Sequence, residues 1–365
     1  MANPGKQARA FATAPSKRPG YASLRQGSGW ICPRPVPCSQ GADTPMPSAA
    51  PDRLPRNSEP DAAALRSPLK RYLLATRPAF LTITLVGGLL GIASAVADGV
   101  PLDGIGAAAT LLLALCAHAA VNVHNDYCDH LNGTDAGNTG RIFPFTGGSR
   151  FIQNGVLTPA QTRGYAMALF AVTIIGGCLL VLRAGGGLLG IGLVGVLVGW
   201  AYSSPPLRLN SRGVGEACVA LTFWLVVVGA DFVQRSQFSS TPALAGIPYA
   251  LLTTNILYIN QFPDREADIA AGKLHWVARL SPLQAAWGYV LILAAATIAI
   301  LAPVLLGLLP RGVALGVMAL VPAAGAARSL LRDANRPQLL AGAIRQTIAA
   351  AHLAALTMAV GMFEG

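Results

Sequence analysis

Residues 104–129 read GIGAAATLLLALCAHAAVNVHNDYCD, an apolar run that closes on two carboxylates, Asp126 and Asp129. An acid is costly in lipid, so spanning segments exclude Asp and Glu unless a cavity, a partner or a task holds them there. Asp126 and Asp129 fall about one helical turn apart and project from one face. The pattern returns where the run 243–262 closes on Asp264-Arg265-Glu266-Ala267-Asp268. Each pair of aspartates can grip a hard cation.

Of 365 residues 53% are hydrophobic and 12% charged, and mean hydropathy is +0.50. Soluble globular domains carry about 25% charged residues, so the composition excludes one. Apolar runs of about 20 residues predict spans near 77–97, 104–125, 163–182, 186–204, 215–234, 243–262, 283–304, 312–327 and 341–362. Strand-period alternation is absent, and the runs are far longer than barrel strands. The expected fold is all-α, a polytopic transmembrane bundle of about nine helices around a central cavity.

Net charge is +11 and the pI about 9.8, a balance that in a soluble protein suggests nucleic acid. Here the cations sort by membrane side. With the N-terminus inside, inner loops hold Arg66, Lys70, Arg71, Arg141, Arg150, Arg208, Arg212, Arg265, Lys273, Arg279, Arg328, Arg332 and Arg336, and outer loops little beyond Arg183, Arg235 and Arg311. The positive-inside rule then puts both acidic clusters on the cytoplasmic side of an integral membrane protein. The expected setting is a bacterial inner membrane, with no nucleic-acid partner.

Residues 1–65 are rich in Pro, Ser, Arg and Gly, with no acid before Asp43. They are expected to be a disordered extension, either a targeting segment or an over-long start, ahead of a transmembrane domain at 66–365. Six cysteines form no CxxC pair, and Cys128 reads as a small space-filler. The inner connections 126–162, 203–214 and 263–282 are long and the outer ones short, as where loops build a site on a rigid scaffold. The two halves echo each other, each with a span that ends in an acidic cluster followed by a basic loop.

Hard oxygen donors without His or Cys at metal spacing select Mg²⁺ over zinc or copper. Mg²⁺ completes its shell with water and phosphate oxygens, so two acidic clusters near Arg141, Arg150, Arg208, Arg212 and Lys273 look like a diphosphate cradle. A greasy cavity below it suits a long apolar tail, and a polyprenyl diphosphate combines both features.

The chain resembles the UbiA-type intramembrane aromatic prenyltransferases, whose signatures are Asn-Asp-x-x-Asp after the second span and Asp-x-x-x-Asp after the sixth. The resemblance covers roughly 70–362. It extends to Thr76-Arg77-Pro78, Tyr202-Ser203-Ser204-Pro205-Pro206 with Arg208, Gly213-Val214-Gly215-Glu216 and Gly272-Lys273. The first motif reads Asn-Asp-Tyr-x-Asp-x-x-x-Gly-Thr-Asp, with Gly133 in place of a third aspartate and an end at Asp135. With Thr146-Gly147-Gly148-Ser149-Arg150 and Gly155-Val156-Leu157, this is similar to the 1,4-dihydroxy-2-naphthoate branch of menaquinone synthesis. Asn260-Gln261-Phe262-Pro263-Asp264 departs from the Asn-Asn-x-Arg-Asp pattern of that branch, and His275-Trp276 stands where Thr-Leu is common.

The resemblance implies Mg²⁺-dependent transfer of a polyprenyl group to an aromatic quinone precursor. Asp126, Asp129, Asp264 and Asp268 would be the catalytic metal ligands. Asn122, Asn125, Asp135, Arg141, Arg150, Tyr202, Arg208, Asn260 and Lys273 would line the substrate site. Other acceptors stay open, among them 4-hydroxybenzoate, homogentisate, a tetrapyrrole or a glycerol phosphate lipid, as does an ion-coupled transporter. The competing structural readings are helix capping for the acids, positive-inside excess for the cations and interfacial anchoring for Tyr127 and Tyr202. His118 and His352 read as hydrogen-bonded packing residues, and Asp231 with Arg235 as a local ion pair.

Overall fold

Each predicted span forms a helix, and two continue further than hydropathy alone implies. The computed structural model describes residues 59–364. Most of the expected N-terminal extension, with Cys32 and Cys38, lies outside the described residues. In chain order the helices are α1 (Pro68–Ala75), α2 (Pro78–Ala97), α3 (Gly104–Leu131), α4 (Thr134–Gly137), α5 (Pro159–Ala184) and α6 (Gly187–Ser203). There follow α7 (Gly215–Arg235), α8 (Ser240–Ala270), α9 (Trp276–Arg279), α10 (Pro282–Leu305), α11 (Leu320–Asp333) and α12 (Ala341–Gly361). Eight helical segments are long and apolar enough to cross a membrane, and α6 is a shorter apolar helix. The seventh of these, Arg311–Asp333, enters as a 3-10 turn over Arg311–Ala319 and extends past the predicted 312–327.

Helix ends follow local chemistry. Thr158 and Ser281 each close a capping box with the Gln three residues on, and Pro159 and Pro282 occupy the first helical positions, where a missing N–H costs nothing. The two long helices correct the sequence reading. α3 runs on through Asp129 to Leu131 and α8 through Pro263 to Ala270, so the acidic motifs are helical turns and not loop residues. Proline removes only the N–H that would bond Ile259, and a packed helix tolerates that loss when neighbours restrain it.

α2 packs against α3, α7, α8 and α12, and α8 also against α10. Close approach needs small residues in lipid. At Gly91 an added Cβ would stand 2.1 Å from the Val227 carbonyl oxygen, so α2 and α7 meet backbone to backbone. Two buried tyrosine hydroxyls are satisfied, Tyr249 by the Ile83 carbonyl and Tyr289 by Thr347 Oγ1 at 2.8 Å. Leu112, Leu182, Leu291 and Leu305 face outward, as lipid-facing side chains must.

Residues 59–65 belong to the stretch expected to be an extension, yet they contact the domain. Leu65 is buried with Ala75, Phe151, Val156 and Leu157, and Arg71 donates to the Leu65 and Ala62 carbonyls.

Candidate acidic centre

The last turns of α3 carry Asp126 and Asp129, and the last turns of α8 carry Asp264 and Asp268. One ammonium spans the two. Lys273 Nζ lies 2.8 Å from Asp129 Oδ2 and 3.5 Å from Asp268 Oδ1. Burial disfavours its charge, but Asp129 and Asp268 outweigh that and hold its pKa above the ordinary lysine value. Asp126 accepts from the Arg77 guanidinium and from the Ser149 N–H at 3.3 Å. Asp264 accepts from Asn138 Nδ2 at 2.6 Å and from the Gly147 N–H at 3.2 Å.

The loop 138–150 therefore touches both motifs. It turns through Gly147 (φ +77) and Gly148 (φ +75), a left-handed pair that glycine adopts without steric cost. A Cβ at Gly148 would lie 2.7 Å from Asp135 Oδ2. Asp135, on α4, is buried. Burial, then the neighbouring Asp129 and Asp126, push its carboxyl up to about 8, against the pull of Arg77 and Lys273.

The remaining expected residues divide. Asn125 Nδ2 donates to Asp129 Oδ2 at 3.2 Å and to Ser203 Oγ at 3.0 Å, so it orients an acid. Asn122 bonds the Thr76 carbonyl at 3.1 Å and Asn260 the Phe145 carbonyl at 3.3 Å. Tyr202, in α6, sits against Gly215, where an added Cβ would be 3.6 Å from its ring. Arg208 has no side-chain partner among the described residues. Among the described residues Arg141 and Arg150 make no hydrogen bond to an aspartate side chain, although Arg150 donates to the Asp135 carbonyl. Arg141 Nε donates to Glu59 Oε1 at 2.7 Å, and Arg150 Nε lies 3.6 Å from Glu59 Oε2. Burial works to raise the Glu59 pKa, but hydrogen bonds from Asn154 and Arg141 hold it below the usual range.

Five aspartates thus share this end of the bundle; Arg77 and Lys273 pair with their carboxylates directly, and Arg150 donates to the Asp135 carbonyl. Among the described residues no three His, Cys, Asp or Glu side chains close on a common point. The donor chemistry nonetheless fits a hard divalent cation: clustered carboxylate oxygens, and beside Asp264 an amide oxygen, Asn138 Oδ1, buried without a partner.

Sequence reading missed four contributors. Arg77 was visible only as part of Thr-Arg-Pro, and its left-handed backbone (φ 57) ahead of Pro78 is what turns it toward Asp126. Asn138 and Glu59 carry no local signal, since both act across long sequence separations. His275 was noted only as a departure, yet its Nε2 lies 3.0 Å from Asp268 Oδ2.

Membrane-length helices joined at one end by an acidic, cation-balanced centre define an integral membrane protein that is built around that centre. The UbiA prenyltransferase family model matches residues 81–360, and the chain belongs to that family. Among curated proteins the chain is similar to a 2-carboxy-1,4-naphthoquinone phytyltransferase of Synechocystis sp., 28% identical over 222 residues. It is also similar to a 1,4-dihydroxy-2-naphthoate octaprenyltransferase of Bacillus subtilis, 29% identical over 202 residues. These matches cover 58% and 54% of this chain and 66% and 62% of the relatives, just under two thirds of their lengths. Among solved structures, a UbiA homolog from Archaeoglobus fulgidus bound to DMAPP and Mg²⁺ superposes with a TM-score of 0.52 at 15% identity, covering 80% of this chain and 99% of that one. This likeness is one of fold.

Proposed function

We propose that the protein is an intramembrane prenyltransferase that moves a polyprenyl group from its diphosphate to an aromatic quinone precursor, with 1,4-dihydroxy-2-naphthoate favoured. The observation that carries the reading is Lys273 in contact with both Asp129 and Asp268, because it brings motifs from the two halves to one centre. Family membership and relatives named for naphthoate prenylation support the acceptor class.

Asp126, Asp129, Asp264 and Asp268 would hold Mg²⁺, which when bound supplies positive charge to the diphosphate oxygens. Arg77 and Lys273 are placed to neutralise the charge that grows on the leaving group as the C–O bond breaks. The departing diphosphate takes the bonding electron pair. The apolar helices exclude water from the allylic cation until an electron-rich ring carbon attacks it and the ring loses a proton. Asn125 orients Asp129, and Asp135 is a further acid near the same centre. We place the centre on the cytoplasmic face of a cell inner membrane, from the charge bias of the loops.

The test is product formation by purified protein with one isoprenoid diphosphate, Mg²⁺ and a panel of acceptors. Transfer to the dihydroxynaphthoate above the other phenols is the expected outcome. Consumption of no diphosphate under any acceptor overturns the enzyme reading.

A further inference from the structure

His275 is buried and uses both ring nitrogens. It precedes α9, and its Nδ1 accepts the Ala278 N–H at 3.2 Å. A nitrogen that accepts carries no proton, so the ring proton sits on Nε2. That Nε2–H points at Asp268 Oδ2, 3.0 Å away. The other carboxylate oxygen, Oδ1, is the one that faces Lys273, at 3.5 Å. The backbone of a four-residue helix thus fixes a tautomer, the tautomer ties one oxygen of Asp268, and the second oxygen is aimed at the acidic centre.

We propose that His275 is a positioning residue for Asp268, which holds that carboxylate in the rotamer needed to bind a divalent cation. The inference rests on the function proposed above. Loss of the partner that orients a metal-ligating group costs about 10- to 100-fold in metal affinity. The two jobs of the imidazole are separable by substitution. In His275→Asn the amide oxygen replaces Nδ1 as acceptor for Ala278 N–H, and the donor to Asp268 is lost. In His275→Gln the amide nitrogen reaches the Nε2 position, and the cap is lost.

The experiment uses full-length protein in detergent and reads two quantities. One is the Mg²⁺ concentration that gives half of the Mg²⁺-induced rise in melting temperature. The other is the Mg²⁺ dependence of prenyl transfer. His275→Asn is expected to melt near the wild type without Mg²⁺ and to need about 10- to 100-fold more Mg²⁺ in both readouts, with turnover recovered at saturation. His275→Gln is expected to melt lower without Mg²⁺ while it keeps the wild-type Mg²⁺ midpoint. A His275→Asn midpoint equal to wild type, or midpoints shifted alike in both variants, overturns the positioning role and leaves the proposed function standing. Wild-type protein with no Mg²⁺-dependent stabilisation and no transfer overturns both.

Discussion

Two ionic clusters lie at opposite ends of α7, and they differ in how their charge is balanced. At the end away from the motifs, the buried acid Asp231 receives Arg235 Nε at 2.9 Å and Ser94 Oγ at 2.9 Å. Arg235 also reaches Asp98 at 2.7 Å, and Thr241 Oγ1 completes that carboxylate at 2.9 Å. Every group there is answered by its neighbours, which makes the cluster a clasp between α2, α7 and α8. At the motif end, Asp126, Asp129 and Asp268 meet Arg77 and Lys273, Asp264 is held by an amide and a backbone N–H, and an amide oxygen of Asn138 has no partner. Buried charge is tolerated when paired. On the proposed function the motif end is where a divalent cation would bind, and the contrast would then separate structure from function within one chain.

The comparison breaks first if single carboxylates at the motif end prove dispensable. Asp129→Asn and Asp268→Asn are expected to lower prenyl transfer by about 10²- to 10³-fold, with the membrane-inserted protein at normal abundance on a blot. Asp231→Asn should do the opposite: it removes one partner of a buried pair, costs about 3 kcal/mol of stability, and leaves turnover per folded molecule intact. Denaturant unfolding alongside transfer assays distinguishes the two patterns.

Divalent cation sharpens the contrast. Mg²⁺ at 100 times its dissociation constant should stabilise the protein by about 2.7 kcal/mol, seen as a rise in melting temperature that EDTA reverses. Asp231→Asn should keep that increment, and Asp268→Asn should lose most of it.

Proton linkage gives a further effect. The Asp135 carboxyl is raised from 3.8 to about 8 in the fold, so between those values the folded chain holds a proton that the unfolded chain has released. The contribution of Asp135 to the stability of the metal-free protein should then be fully present below the unfolded value and be lost as pH rises toward 8. Melting curves across pH should show this slope, and Asp135→Asn should flatten it. The smallest expected change is at Glu59, whose side chain is 28% exposed. Glu59→Gln should cost about 0.5 kcal/mol in thermal unfolding, through looser Arg141 and Arg150 contacts.

The spans were legible because lipid demands long apolar runs, and predicted and observed limits differ by few residues for α2, α6, α7, α10 and α12. Both motifs, and the fact that they meet, followed from acids at helix ends on one side. What escaped was set by tertiary contact. Pro263 reads locally as a stop, yet α8 continues because its neighbours restrain it. The pairing of Arg141 and Arg150 with Glu59, from outside the predicted domain, is likewise a contact that charge alone does not indicate. The role of His275 depends on an amide three residues on and a carboxylate seven residues back, a geometry no pattern of residue types specifies.

The lengths of α3 and α8 have a consequence for depth. With 28 and 31 residues at about 1.5 Å each they reach roughly 42 and 46 Å, against a hydrocarbon layer of about 30 Å. Their starting ends are each tied to a neighbour, the Asp103 N–H to Gln234 of α7 and Thr241 Oγ1 to Asp98 at the end of α2, both at 2.9 Å. In the proposed enzyme that surplus length, about 12 to 16 Å, would let the acid-bearing ends reach the headgroup layer, where a bound pyrophosphate would stay hydrated while its oily chain sinks. One turn, about 5.4 Å, taken from either helix would offset the partners along the bilayer normal.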